Sequence, residues 1–276
     1  MKNLLLIIAI VHLVGCDPHI DSVYLGRSQS KFLGDVSRGD TKAVKAYLDK
    51  GGNVNLQDEP GMTPLHHAVN DNWNGTKRET IKLLIDRGAD VNAIDDTHHT
   101  PLHLASNSNK EIAELLIDAG ANVNAKTKGT GETTLFSTAH GAAQGSHKSY
   151  LGLTRMLIAK GADVNVKLNS GSMIEDNEPY RSKAGDTVLH EVARSYSEKH
   201  ATEVCELLIT NGAQINERNI RGQTPLDEAL SNKRSKTAEF LRKHGAKTAE
   251  ELKKLTETMI VKGRPIRLFI GHSVSV

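Results

Sequence analysis

A phrase that opens a helix recurs along this chain as GMTPLHHAV, HHTPLHLAS, GETTLFSTA, GDTVLHEVA and GQTPLDEAL, its threonines 37, 33, 54 and 37 residues apart, a repeat of roughly 33 residues lengthened by insertions. Each phrase leads into an apolar helix and then a glycine-rich stop of the GADVN type. Gly88, Gly120, Gly161 and Gly212 precede Asn92, Asn124, Asn165 and Asn216, and Gly51 precedes Asn55 in a weaker first unit, FLGDVSRGDTKAVKAYLDKGGNVN, that lacks the opening phrase. No unit of this size can bury its own apolar face, so such units must stack in a line and shield one another.

Local chemistry explains the wording. Thr63, Thr100 and Thr224 supply a side-chain oxygen at the start of a helix, and the prolines that follow, Pro64, Pro101 and Pro225, need no amide donor there. Ile112, Leu115, Leu116 and Ala119 fall on one helical face, and Ile81, Leu84 and Ile85 begin the same pattern one unit earlier. The glycines just beyond those faces sit where the chain must turn left-handed.

Six units of this spacing and wording, over residues 31–248, resemble the ankyrin repeat. The resemblance implies an all-α solenoid of about six helix-turn-helix units joined by β-hairpin loops. It also implies that the histidine of the TPLH phrase, at His66, His103 and His190, ties its helix turn to a neighbouring unit. In the last unit Asp227 stands in that place.

The chain begins MKNLLLIIAIVHLVGC, with Lys2 ahead of an apolar core, Leu4 to Val14, too short to span a bilayer. Leu13, Val14, Gly15 and Cys16 resemble the lipobox of bacterial lipoproteins. That implies removal of residues 1–15 and a lipid on the thiol of Cys16. Asp17 matches the residue that retains enterobacterial lipoproteins in the inner membrane, and the expected location is the periplasm-facing side of that membrane. Residues 16–30 then read as a lipidated, flexible tether, and residues 249–276 as a capping helix and tail.

Thirty-five Lys and Arg against 33 Asp and Glu leave a net charge of only +2, with 4% aromatic residues, so no basic, aromatic-interleaved stripe suggests nucleic acid. Of two cysteines, Cys205 aligns with the apolar face of a second helix and reads as core. His98 and His99 precede Thr100 on an exposed hairpin, yet no cysteine or third histidine stands at zinc spacing. No phosphate loop, GxSxG or HExxH occurs. The expectation is a monomeric protein without catalytic residues, metal, cofactor or small-molecule substrate; a metal-dependent enzyme centred on His98 and His99 is the disfavoured alternative.

Breaks in the period carry the functional hint. Asn55 to Thr63, Asn92 to Thr100 and Asn216 to Thr224 each span eight residues, whereas Asn165 to Thr187 spans 22. The stretched hairpin, VKLNSGSMIEDNEPYRSKAGD, offers Met173, Ile174, Tyr180 and Arg181 as partner contacts; tyrosine and arginine are enriched among residues that dominate interfaces. Asp95, His98 and His99 on one hairpin, and Asn219 and Arg221 on another, complete the candidate partner-binding set. Three further insertions separate paired helices, the first containing Trp73. Thr248 and Glu251 form a capping-box pattern that opens a short helix, and IRLFIGHSVSV follows a Gly263–Pro265 break as an apolar segment able to dock on the last unit or pair with a partner. These readings converge on a membrane-anchored scaffold that binds another protein, with an inhibitor or immunity protein that blocks a toxic periplasmic enzyme as the alternative.

Overall fold

The computed structural model describes residues 18–70, 77–105, 110–145, 148–169 and 184–261. Among them are thirteen helices and no strand, apart from one isolated antiparallel bridge between Lys167 and Thr187. The chain forms two compact units, Met1–Asp90 and Val91–Val276. The first holds α1 (Pro18–Arg38), α2 (Thr41–Asp49), α3 (Pro64–Asn70) and α4 (Arg78–Asp86). The second holds α5 (Pro101–Ala105), α6 (Lys110–Asp118), α7 (Thr134–Gln144), α8 (Lys148–Ala159), α9 (Val188–Ala193), α10 (Glu198–Thr210), α11 (Pro225–Ser231), α12 (Ser235–Lys243) and α13 (Ala249–Val261).

The period read from the sequence becomes helix pairs. Short inner helices α3, α5, α7, α9 and α11 follow the opening phrases, and α4, α6, α8, α10 and α12 lie behind them. Ile81 and Leu84, Ile112 and Leu116, Leu153 and Leu157, and Val204 and Leu208 are all fully buried at helical spacing. Each such side chain contributes about 1.5–3 kcal/mol by leaving water. In the second unit α7 packs on α9 and α10, α9 on α11, and α10 on α12, so every helix pair is covered by the next.

The stops work as their glycines require. Gly88, Gly120, Gly161 and Gly212 have φ of 84°, 96°, 91° and 89°. The following amide in each case reaches back to close the helix, as when Ala213 N–H donates to the Leu208 carbonyl at 2.9 Å. The expected β-hairpin loops are tight turns, each closed by two backbone bonds: Asp58 N–H to the Met62 carbonyl and Gly61 N–H to Asp58, Asp95 N–H to His99 and His98 N–H to Asp95, and Asn219 N–H to Gln223 and Gly222 N–H to Asn219.

Two stretches differ from the sequence reading. Residues 18–30, expected as a flexible tether, are the first part of the 21-residue helix α1. Phe32 and Val36, one turn apart on α1, are buried, and Phe32 stacks on Tyr47 of α2 with ring centroids 3.9 Å apart. A helix anchored by that contact extends back toward Pro18, and α1 serves as the inner helix that the first unit had lacked. The insertion HGAAQGSHKSY lengthens α7 to 11 residues, against five in α5, before Gly145 ends it at φ 71°.

Cys16, Asp17, Trp73, Met173, Ile174, Tyr180, Arg181 and the segment 262–276 lie outside the described residues.

Candidate functional site

The asparagines that mark the period join one unit to the next. Asn165 donates from Nδ2 to the Gly212 carbonyl at 3.0 Å and accepts the Gln214 N–H on Oδ1 at 2.8 Å. Asn55 does the same to Gly88 and Asp90, Asn92 to Gly120 and Asn122, Asn124 to Gly161 and Asp163, and Asn216 to Gly245 and Lys247. Each side chain thus satisfies a donor and an acceptor that the neighbouring helix stop leaves without intrahelical partners. Aspartate cannot donate and alanine can do neither, which explains the amide at this position.

The histidines of the opening phrase cap their own helices. Thr187 N–H donates to His190 Nδ1 at 3.2 Å, and the Thr187 hydroxyl lies 2.9 Å from the same nitrogen. Thr63 with His66 and Thr100 with His103 repeat the arrangement. Two donors converging on Nδ1 fix the neutral Nε2–H tautomer, and His190 Nε2–H then donates to the Gln223 carbonyl of the next unit at 3.0 Å. Burial, then the neighbouring His99, pushes His103 down to about 4. Asp227 replaces the histidine without loss, because its Oδ2 accepts from Thr224 N–H and the Thr224 hydroxyl, each at 2.9 Å, and also from Ala249 N–H.

Two of the candidate contact residues prove to hold hairpin turns. Asp95 Oδ1 accepts from Thr97 N–H and His99 N–H, both at 2.9 Å. Burial opposes its charge, but these bonds and that of the Thr97 hydroxyl keep its carboxyl below the ordinary range. Asn219 Oδ1 likewise accepts from Arg221 N–H and Gln223 N–H at 3.0 Å, and its side chain is buried. His98, Ile220 and Arg221 are exposed on the turns themselves, His98 with φ 60° and Ile220 with 74% of its surface open. His99 is half-exposed and packs edge-on against His103. Within the second unit the turns are joined in series: Lys128 N–H donates to the Thr97 carbonyl, Asn169 N–H to Thr130, and Ile220 N–H to Ala184.

A buried ionic cluster lies next to the lengthened hairpin, and the sequence reading did not find it. Arg194 Nη2 donates to Asp186 Oδ2 at 2.6 Å and also to Glu191; its Nη1 lies 3.6 Å from Glu228, and all four side chains are at most 4% exposed. Asn219 donates to Asp186 Oδ1 at 2.8 Å, and His140 of α7 meets Glu191 at 2.7 Å. Burial pushes the Glu191 carboxyl up, yet the His140 bond and the Arg194 charge outweigh it and leave it lowered. Burial likewise opposes the Arg194 charge, and Glu191 and Asp186 overcome it. Glu132, nearby, is raised by burial and by Glu191. The sign that was available lies in the repeat itself. Glu191 and Glu228 stand where the other units carry His67, Leu104 and Ser137, and Arg194 is buried where Asn70 and Ser231 are exposed.

Cys205 is fully buried in α10, its thiol pushed up to about 12 by burial. Among the described residues, no group of three or more His, Cys, Asp and Glu is placed to hold a metal ion, and no helix is long and apolar enough to cross a membrane.

The model of the ankyrin repeats (3 copies) matches residues 35–127 and 139–251. The chain belongs to the ankyrin-repeat family. As such it is a protein-interaction scaffold, in a fold that is typically non-catalytic. A 115-residue stretch is 36% identical to the human ankyrin repeat and KH domain-containing protein 1, covering 42% of this chain and 4% of that protein, so the chain spans only a small part of that relative's length. Among solved structures, an ankyrin repeat domain from Acinetobacter baumannii AYE matches with a TM-score of 0.63 at 24% identity, over 79% of this chain and all of that one. That likeness is one of fold. In this ankyrin domain the period-marking residues are spent on internal bonds, and variation is left to the turns and insertions.

Proposed function

We propose that this ankyrin domain is tethered to a bacterial envelope membrane by lipid on Cys16, faces the periplasm from the inner membrane, and binds another protein without catalysis. The observation that carries the proposal is the N-terminal MKNLLLIIAIVHLVGCD, in which a charged start, a short apolar core and a cysteine come in the order an exported lipoprotein requires. The structure adds a consequence. Because α1 begins at Pro18, two residues beyond Cys16, the lipid would hold the first helix close to the headgroups. Replacing Cys16 by Ala should abolish incorporation of labelled fatty acid and move the protein from the membrane to the soluble fraction. Unchanged labelling and retention of the Cys16→Ala protein would refute the anchor.

The interval of 22 residues between Asn165 and Thr187 favours a narrower reading, in which the lengthened hairpin enters and blocks the site of a toxic periplasmic enzyme. Met173, Ile174, Tyr180 and Arg181 supply apolar, aromatic and bidentate groups suited to a desolvated contact. Deleting residues 170–183 spares Lys167, Leu168 and Ala184, which bond to the remaining framework. The deletion should abolish protection and partner binding while keeping the helical circular-dichroism signal. Protection that survives the deletion would rule the inhibitor reading out and leave the other turns, with His98 and Arg221, as the binding edge.

A further inference from the structure

Residues 26–50 carry six Lys and Arg against three Asp, a local charge of +3 in a chain whose total is only +2. The excess is spread over the exposed sides of α1 and α2. Arg27, Lys31 and Arg38 stand at i, i+4 and i+11 on α1, which places them in one stripe of a 3.6-residue helix, and all three are exposed. Arg38 lies back along that stripe over Gly34, where a Cβ would come within 3.2 Å of its Nη1. On α2 the exposed Lys42, Ala46 and Lys50 follow one another at i, i+4 and i+8. A groove of about 250 Å3 lies between the two helices, lined by Ser28, Lys31, Phe32, Asp35, Tyr47 and Lys50.

The three carboxylates of this stretch are committed within the fold. Asp35 is buried and takes Lys31 Nζ at 2.8 Å and Arg38 as well, two cations on one anion. Asp40 accepts the Ala43 N–H at the start of α2, and Asp49 meets Lys45 and Arg87. Lys31 and Arg38 keep 72% and 66% of their side chains open, and Arg27, Lys42 and Lys50 have no carboxylate partner among the described residues. From Arg27 to Arg38 the stripe covers roughly 17 Å of helix, so its cations suit a continuous layer of phosphates, whereas a single phosphate needs donors that converge on it. Standing upright, α1 would carry Arg38 roughly 30 Å from Pro18, well beyond the roughly 8–10 Å over which charges act in salt; lying flat, it brings the whole stripe to a surface. We propose that α1 lies along the bilayer and that the basic face of α1 and α2 docks on anionic phospholipid headgroups, an inference that rests on the lipid anchor above for its setting.

The test uses the full chain with Cys16→Ser, which carries no lipid, and vesicles of phosphatidylcholine and phosphatidylglycerol in equal parts. Residues 1–15 are common to every sample and cancel in the comparison. Each cation near an anionic surface contributes about fivefold to binding, so Lys31→Gln, Lys42→Gln and Lys50→Gln together should weaken it about a hundredfold; Arg38 remains to pair Asp35. The same loss of charge in the second unit, at the exposed Lys236, Lys243 and Lys253, should change it by no more than about threefold. Equal losses in the two triple variants would mean that binding follows net charge alone, and no loss in either would leave the face to an acidic protein; both results overturn the proposal. Orientation has its own readout, since Cys205 is buried and a fluorophore can be placed by Ala46→Cys or Lys243→Cys. On the vesicles the label at 46 should be shielded from a water-soluble quencher and the label at 243 should not, and equal quenching would also overturn the proposal. Failure of the anchor shows separately, as a Cys16 that takes up no labelled fatty acid, and leaves the vesicle result standing.

Discussion

Asn165 shows how much one side chain does in this architecture. Its two bonds to Gly212 and Gln214 are made across the boundary between helix pairs, so they act on stacking and not on the helices themselves. Asn165→Ala should cost about 1–2 kcal/mol, the net worth of two hydrogen bonds at a partly exposed site, read as a lower urea midpoint. Asn165→Asp should cost at least as much, because the carboxylate would face the Gly212 carbonyl it can no longer donate to. His103 makes a second prediction, in pH. Its folded pKa of about 4 lies below the ordinary 6.5, so between those values the unfolded chain binds the extra proton and stability falls as pH falls. His103 should account for about 2 kcal/mol of stability lost between pH 7.5 and pH 5, and His190, lowered by burial, acts in the same direction. His103→Gln, which keeps an acceptor for Thr100 N–H, should flatten the dependence of the urea midpoint on pH; an unaltered slope would mean that the ring is protonated without penalty. Both positions were visible in the sequence as markers of the period. The work of Asn165 was not, because the groups it satisfies, on Gly212 and Gln214, lie 47 and 49 residues away and become neighbours only when the units stack.

At the scale of elements, the apolar periodicity and the glycine stops placed the helix pairs and their ends well, since both signals are local. The tether reading fails for the opposite reason: residues 18–30 are mostly polar or small, and they are helical as the continuation of a helix held by Phe32 and Val36 against α2. Asp95 and Asn219, candidate contact residues on hairpins, also satisfy their turns' own amides, as a short polar side chain on a turn does. The ionic cluster between α9 and α11 was missed because charged residues in a repeat are ordinarily solvated. Arg194→Met removes the cation that Asp186, Glu191 and Glu228 surround, and an unpaired buried charge costs about 3–5 kcal/mol. The variant should therefore lose about 3–5 kcal/mol, a large part of the roughly 5–15 kcal/mol that holds an ordinary domain folded. A loss below 1 kcal/mol would mean that water reaches the cluster. At Gly212, φ is 89° and a Cβ would meet nothing within 4 Å, so Gly212→Ala should cost only the left-handed backbone strain, about 1 kcal/mol.

For the whole molecule, membership of the ankyrin family names a mode of action and leaves the target to the turns and insertions, since one fold serves many partners. The same modularity governs how the second compact unit responds to damage. In a stacked array each pair feels its neighbours and little else, and Asp227 is a point where that locality can be measured. Its Oδ2 gathers the Thr224 amide and hydroxyl and the Ala249 amide, fastening α11 to α13, while α5 to α8 share no bond with it. Asp227→Ala should raise amide exchange in α11, α12 and α13 about tenfold, the equivalent of roughly 1.4 kcal/mol. Exchange in α5, α6, α7 and α8 should stay within a factor of two of the parent. The buried cluster is what opposes this gradient, because Arg194, Glu191 and Glu228 couple α9 to α11 through charges that cannot be separated cheaply. If Asp227→Ala accelerates all of Val91–Val276 alike, that coupling dominates and the unit opens as one body; if the effect fades by α9, the array is read unit by unit, and a partner seated on one turn leaves the rest of the stack undisturbed.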